Sequence, residues 1–163
     1  MPAARTLILM RHGKSAYPEG VVDQDRPLAR RGRREAALAG DWIRLTQPPV
    51  DAVLCSIATR TRLTLAATGI DAPTRYSDLL YGATPAQVLH EIAGAGTDVR
   101  TLLVVGHDPG IPGAAMALDP LSPYADRISD KFPTSALATL VVTDTWSGIH
   151  AAGATLTAFH VPR

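Results

Sequence analysis

The stretch Leu7-Ile8-Leu9-Met10-Arg11-His12-Gly13-Lys14-Ser15 decides the fold. Its apolar run is short, is bounded by polar residues and ends abruptly in Arg-His-Gly, a pattern that predicts a buried β-strand. Arg11 and His12 then stand where parallel α/β sheets place their ligands, outside the carboxyl ends of the strands. Gly13 lets the backbone approach whatever the two side chains hold. An imidazole beside a guanidinium on a rigid strand end suits attack on an anionic phosphoryl group. Taken alone, the tripeptide reads equally well as a basic loop that follows a strand.

Working outward from this segment, the periodicities alternate. Residues 6–11 read as the first strand and 13–29 as loop. Residues 31–46 read as a helix, with Ala36, Ala37, Leu38, Trp42, Ile43 and Leu45 mostly at helical spacing, stopped by Gln47-Pro48-Pro49. A second strand covers 51–55, and a helix over 58–69 is closed by Gly69. A short edge strand is expected at 74–76, and a helix at 84–94 with Pro85 in its first turn. Thr101-Leu102-Leu103-Val104-Val105 is the most strand-like segment. It is followed by Gly106-His107-Asp108-Pro109-Gly110 and a helix over 109–118, with Asp108 as its N-cap and Pro109 at its first position. Residues 119–133 read as loop, 135–143 and 154–160 as strands that can pair as a hairpin, and Trp146-Ser147-Gly148 as a turn between them. The expectation is a single three-layer α/β/α domain over residues 1–163, with a mostly parallel central sheet and an antiparallel C-terminal edge hairpin.

Composition narrows the function. The 163 residues suffice for one sizeable core, and a net charge of +1 argues against a nucleic-acid footprint. Arg26, Arg30, Arg31, Arg33 and Arg34 cluster, either as the solvated start of a helix or as a docking surface for an acidic partner. The one cysteine, Cys55, excludes an internal disulfide and a cysteine-based zinc site, and reads as a small buried hydrophobe. No apolar run spans a bilayer and no signal peptide is visible, so the expectation is a cytoplasmic protein that engages no membrane.

Three segments share one pattern: a strand, then cationic or imidazole side chains, then a helix. The first supplies Arg11 and His12, the second Ser56, Thr59, Arg60 and Arg62, the third His107. If the strands are parallel neighbours, their ends converge on an electropositive pocket built for a dianion. His90, His150 and His160 fall outside this pattern, His150 and His160 without a convincing partner, and Thr134 and Ser135 could bring a hydroxyl near it.

These residues carry a resemblance to the histidine phosphatase (phosphoglycerate mutase-like) superfamily. Leu9–Ser15 is similar to its Arg-His-Gly signature, and Arg26-Pro27-Leu28-Ala29-Arg30-Arg31-Gly32 to the segment before its first helix. Ser56–Thr64 is similar to its Ser-x-x-x-Arg-x-x-x-Thr segment, Val105–Gly110 to its second-histidine motif, and Phe132-Pro133-Thr134-Ser135-Ala136 to a Pro-Thr-x-Ala element. The chain's shortness points to the branch resembling the small SixA-type phosphohistidine phosphatases. The resemblance implies that His12 is the nucleophile, with its other ring nitrogen held by a backbone carbonyl. It implies that Arg11 and Arg60 clamp the phosphoryl oxygens, and that His107, protonated among those oxygens, stabilises the transferring group. It implies no metal and no cofactor. The sequence departs from the mutase branch at Pro18, where an Asn would touch phosphate, and in Leu79–Thr84, which lacks the mutase-type glutamate. Asp25, Glu19, Tyr81 and Asp108 are the candidate general acids, Asp25 foremost. A weak acid favours P–N over P–O cleavage, because imidazole is a better leaving group than an alkoxide. Few residues remain between Ile70 and Thr101 for a lid. The expected substrate is therefore phosphohistidine on a protein; a small phosphomonoester, and a non-catalytic phosphate-binding module, are the alternatives.

Overall fold

The computed structural model describes residues 3–163; residues 1 and 2 of the expected domain lie outside them. Six strands form one sheet: β1 (Arg5–Arg11), β2 (Ala52–Ser56), β3 (Thr74–Ser77), β4 (Thr101–Gly106), β5 (Leu137–Val142) and β6 (Ala154–His160), in the order β3-β2-β4-β1-β5-β6. β1, β2, β3 and β4 run parallel, with β4 between β1 and β2. β5 lies antiparallel to β1, and β6 antiparallel to β5. This is the α/β arrangement expected, with the antiparallel pair at one edge.

The central strands have apolar interiors, Leu7–Met10, Val53–Cys55 and Leu102–Val105, because both of their faces are covered. Along β1, Ile8 and Met10 face one way with Val53, Cys55, Leu103 and Val105. Ala36, Ala39 and Ile43 of α1 (Arg30–Thr46) and Leu65 of α2 (Thr59–Thr68) cover that side. Leu7 and Leu9 face the other way with Leu54, Leu102 and Val104. There they meet Val88 and Ile92 of α3 (Pro85–Ala93), Ile111 and Ala115 of α4 (Gly110–Leu118), and Ile128 of α5 (Ala125–Asp130). Burial of Cys55 raises its thiol pKa to about 12, so it serves as core.

Three local expectations change. α5 forms inside the segment 119–133 read as loop; only Ile128 of its six residues is buried, which leaves no periodicity to detect. α4 begins at Gly110 with Pro109 in the cap position and no side-chain cap. Asp108 is thus one residue too early to reach the first free N–H groups, and is exposed. His160 finds a partner: its ring stacks on Trp42 at 4.6 Å between centroids. α3 opens as expected, with a capping box between Thr84 and Gln87.

Candidate active site

The sheet order sets the carboxyl ends of β2, β4 and β1 side by side. Their last residues lead directly into Arg60, His107 and His12. The backbone N–H of His12 donates to the Gly106 carbonyl at 3.0 Å, which ties the two histidine-bearing loops together. The His12 and His107 rings are 5.2 Å apart between centroids, and both residues are 8% exposed.

His12 Nδ1 lies 2.7 Å from the Gly13 carbonyl oxygen. A carbonyl only accepts, so Nδ1 carries the hydrogen and Nε2 keeps its lone pair. Burial lowers the His12 pKa to about 3; the Gly13 bond opposes this, and His107, Arg60 and Arg11 reinforce it. The imidazole is therefore neutral at physiological pH. His107 Nε2 is 2.9 Å from the Ser56 hydroxyl. Its pKa falls to about 4 through burial first and Arg60 second. With only protein groups around it, His107 is neutral too; a bound dianion would favour its protonated form.

The two arginines are held by different means. Arg11 Nη1 donates to the Phe132 carbonyl at 2.9 Å, and its buried Nε has no partner among the described residues. Arg60, 8% exposed in the first turn of α2, is engaged by Asp23. Its Nη1 donates to the Asp23 backbone carbonyl at 2.8 Å, and its Nη2 to Asp23 Oδ2 at 3.1 Å. The Tyr81 hydroxyl donates to the same Oδ2. That bond comes first, and Arg60 next among the attractions, in holding the Asp23 carboxyl below the usual range; it likewise pushes the Tyr81 phenol up.

The Ser56–Thr64 segment acts as a unit. Ser56 contacts His107, Arg60 faces the pocket, and the Thr64 hydroxyl accepts from the Gly13 N–H at 2.9 Å while donating to the Arg60 carbonyl at 2.7 Å. Behind the loop that follows His12, the first turn of α1 presses close. A Cβ on Gly32 would lie 2.2 Å from the Lys14 carbonyl oxygen, so only glycine permits this approach. Ser135 closes the other side: its N–H donates to the His12 carbonyl at 3.0 Å, its φ is 64°, and its hydroxyl is buried without a partner among the described residues.

Arg11, His12, Arg60 and His107 are thus brought together. Asp25 is not: it sits exposed at the end of a short 3-10 turn, Asp23–Asp25, and Asp23, two residues earlier, is the carboxylate that reaches Arg60 and Tyr81. Sequence reasoning missed Asp23 and gave Ser56 and Thr64 no separate roles, although both belong to a quoted motif. Arg62 points to the Ile57 carbonyl and the Tyr76 ring instead of the cluster. The arginine group at the start of α1 divides. Arg26 binds the Ser15 hydroxyl, the Ala16 carbonyl and Asp23, Arg33 binds the Leu28 carbonyl, Arg31 pairs with Glu35, and Arg30 and Arg34 are exposed.

Residues 7–80 match the family model of the histidine phosphatase superfamily (branch 1). The chain is 56% identical over 158 residues to an uncharacterized protein of Mycobacterium tuberculosis, Rv1276c, with 94% of this chain and all of the relative covered. A solved structure from Nakamurella multipartitia, described as "Putative Phosphohistidine Phosphatase SixA", is 43% identical. The alignment covers 99% of this chain and 98% of that one, with a TM-score of 0.92. A similarly described Agrobacterium tumefaciens structure is 29% identical over 97% and 99% of the two chains, with a TM-score of 0.81. The chain belongs to the histidine phosphatase superfamily and is SixA-like within it. Its class is that of a phosphatase, a hydrolase. No described helix is long and apolar enough to cross a membrane.

Proposed function

We propose that the protein hydrolyses phosphohistidine on a protein through a phosphoryl intermediate on His12. The observation that carries this reading is the 2.7 Å bond from His12 Nδ1 to the Gly13 carbonyl, which leaves a neutral Nε2 lone pair beside Arg60, Arg11 and His107. That lone pair attacks phosphorus, and the substrate's P–N bond breaks with its electron pair onto an imidazole whose other ring nitrogen already carries a proton, so the leaving group departs neutral. Arg11 and Arg60 hold the equatorial oxygens, and His107 protonates as the dianion arrives and donates to it. Water then attacks phospho-His12, the P–N bond breaks, and inorganic phosphate leaves.

The leaving group supports a phosphoramidate over an ester. The carboxylate that touches the cluster, Asp23, is held ionised by Tyr81 and Arg60, so it has no proton to give. Imidazole, with a conjugate acid near pKa 6.5, departs without much help, whereas an alkoxide needs a donor in the transition state. Two relatives described as phosphohistidine phosphatases support the same class. One observation favours a second reading, a small phosphomonoester: a groove of about 590 Å³ lies beside Arg11, lined by Asp108, Met116, Lys131 and Phe132.

Turnover of a phosphohistidine peptide, an aryl phosphate and an alkyl phosphate separates the two. The expected order is phosphohistidine, then aryl, then alkyl, with all three lost in His12→Ala. Fastest turnover of the alkyl ester would contradict the substrate assignment, and full activity in His12→Ala would contradict the mechanism.

A further inference from the structure

Arg60 is assigned above to the phosphoryl oxygens, yet its guanidinium is already engaged. Asp23 meets it with a backbone carbonyl and a carboxylate oxygen, at 2.8 and 3.1 Å. A carboxylate offers a guanidinium the same thing as a phosphoryl group: anionic oxygens that accept its planar N–H donors. Only 8% of Arg60 is exposed, so a second anion gains its Nη2 donors chiefly where Asp23 gives them up. We propose that Asp23 is a specificity-determining residue: a carboxylate built into the chain that occupies Arg60 and must be displaced by the incoming phosphoryl group. The proposal rests on the reading of Arg60 as a phosphate ligand.

The surroundings of Asp23 suit a group that lets go and returns. The loop that bears it is pinned at its base by the Ser15–Leu28 bridge and by the Ala16 N–H on the Pro27 carbonyl at 2.9 Å. Arg26 reinforces that base, donating to the Ser15 hydroxyl and the Ala16 carbonyl and lying over the Tyr17 ring. Beyond the base, the loop is exposed: Tyr17 is 72% and Val22 65% accessible. The Asp23 side chain is itself 53% exposed, so rotating it outward costs little packing or desolvation. It also has a second cation to hold. Its other oxygen, Oδ1, accepts from Arg26 Nη1 at 3.0 Å. The carboxylate can therefore release Arg60 and remain paired with Arg26, while the site keeps its compensation of charge throughout.

Two consequences follow for the reaction. Substrate pays for opening, since apparent affinity is the intrinsic affinity scaled by the fraction of molecules in which Arg60 is free. A dianionic phosphoryl group outcompetes a monoanionic carboxylate, so the device discriminates against carboxylate-bearing ligands that would otherwise sit on the arginines. At the end of the cycle, Asp23 competes with inorganic phosphate for Arg60 and speeds its departure. Tyr81 belongs to the same device: its hydroxyl steadies Asp23 Oδ2, and its ring lies edge-on to His107, 5.6 Å between centroids.

The test is calorimetric binding of inorganic phosphate to the full chain, for wild type, Asp23→Asn, Asp23→Ala, Tyr81→Phe and Arg60→Ala. Both Asp23 variants keep the backbone carbonyl that Arg60 also uses, and the side chain they change is largely in solvent. The expected result is phosphate binding about twofold to fivefold tighter in Asp23→Asn and Asp23→Ala, the range that a partly exposed charged pair supports. Inhibition by product phosphate should strengthen by the same factor, and Tyr81→Phe should show a smaller change of the same sign. Arg60→Ala should lose most phosphate binding. Unchanged or weaker binding in both Asp23 variants, with Arg60→Ala still defective, would overturn the displacement proposal and leave the clamp standing. Wild-type binding in Arg60→Ala would overturn the reading of Arg60 itself. A fall in kcat with phosphate affinity unchanged would make Asp23 a proton donor and overturn its role as a competitor.

Discussion

His12 and His107 are kept neutral by the same burial that makes them useful. Folded, they take up a proton only near pH 3 and pH 4, against about 6.5 for an ordinary imidazole. Below pH 6.5 the unfolded chain therefore binds more protons than the folded one, and stability falls as the pH drops towards 4; above 6.5 neither histidine contributes. At pH 5 the loss is about 2 kcal/mol per histidine, from one and a half pH units at 1.36 kcal/mol each. Urea melts at pH 7 and pH 5 should show this loss, and His107→Gln should recover part of it. A melt with no pH dependence would mean that neither ring is buried as described. Thr64 supplies a second check at this scale. Thr64→Val keeps the shape but strips the Gly13 N–H of its acceptor, at a cost of about 1–3 kcal/mol. Because Gly13 also holds His12 Nδ1, kcat should fall with it, whereas a purely structural role would lower only the melting temperature.

Among the elements, α1 matters for where it begins. Its first five residues include Arg30, Arg31, Arg33 and Arg34 and no acid, against the preference of a helix N-terminus for negative charge. Close packing sets the position: Gly32 lets the helix touch the backbone of Lys14, two residues after His12. Gly32→Ala must push α1 or the His12 loop aside. We expect about 1–3 kcal/mol of destabilisation and a fall in activity, seen in thermal melts and aryl phosphate turnover. The strands were legible because runs such as Thr101–Val105, buried on both faces, are unbroken apolar sequence. α5 was not, since one buried side chain in six residues carries no period. Asp23 was hidden for a related reason. It and Asp25 flank Gln24 in one exposed 3-10 turn, and only the turn's orientation towards α2 decides which of them meets Arg60.

For the molecule as a whole, the cluster of Arg11, His12, Arg60 and His107 is a product of strand order. Residues far apart in sequence meet because β4 inserts between β1 and β2, and this was inferable once three strands each ended in a basic or imidazole side chain. The sheet is correspondingly intolerant. Leu103→Ala, in a fully buried strand between two layers, should cost about 2–5 kcal/mol in chemical denaturation. The central claim, that His12 carries the phosphoryl group between substrate and water, is tested most directly by a single turnover. The protein is mixed with a slight deficit of phosphoramidate, quenched in alkali within the first turnover and analysed by peptide mass spectrometry. The account predicts one phosphoryl group on His12, formed and lost at rates consistent with kcat, and absent in His12→Ala. Steady turnover with no phosphoryl on His12 at any time, or phosphoryl on another residue, would contradict it.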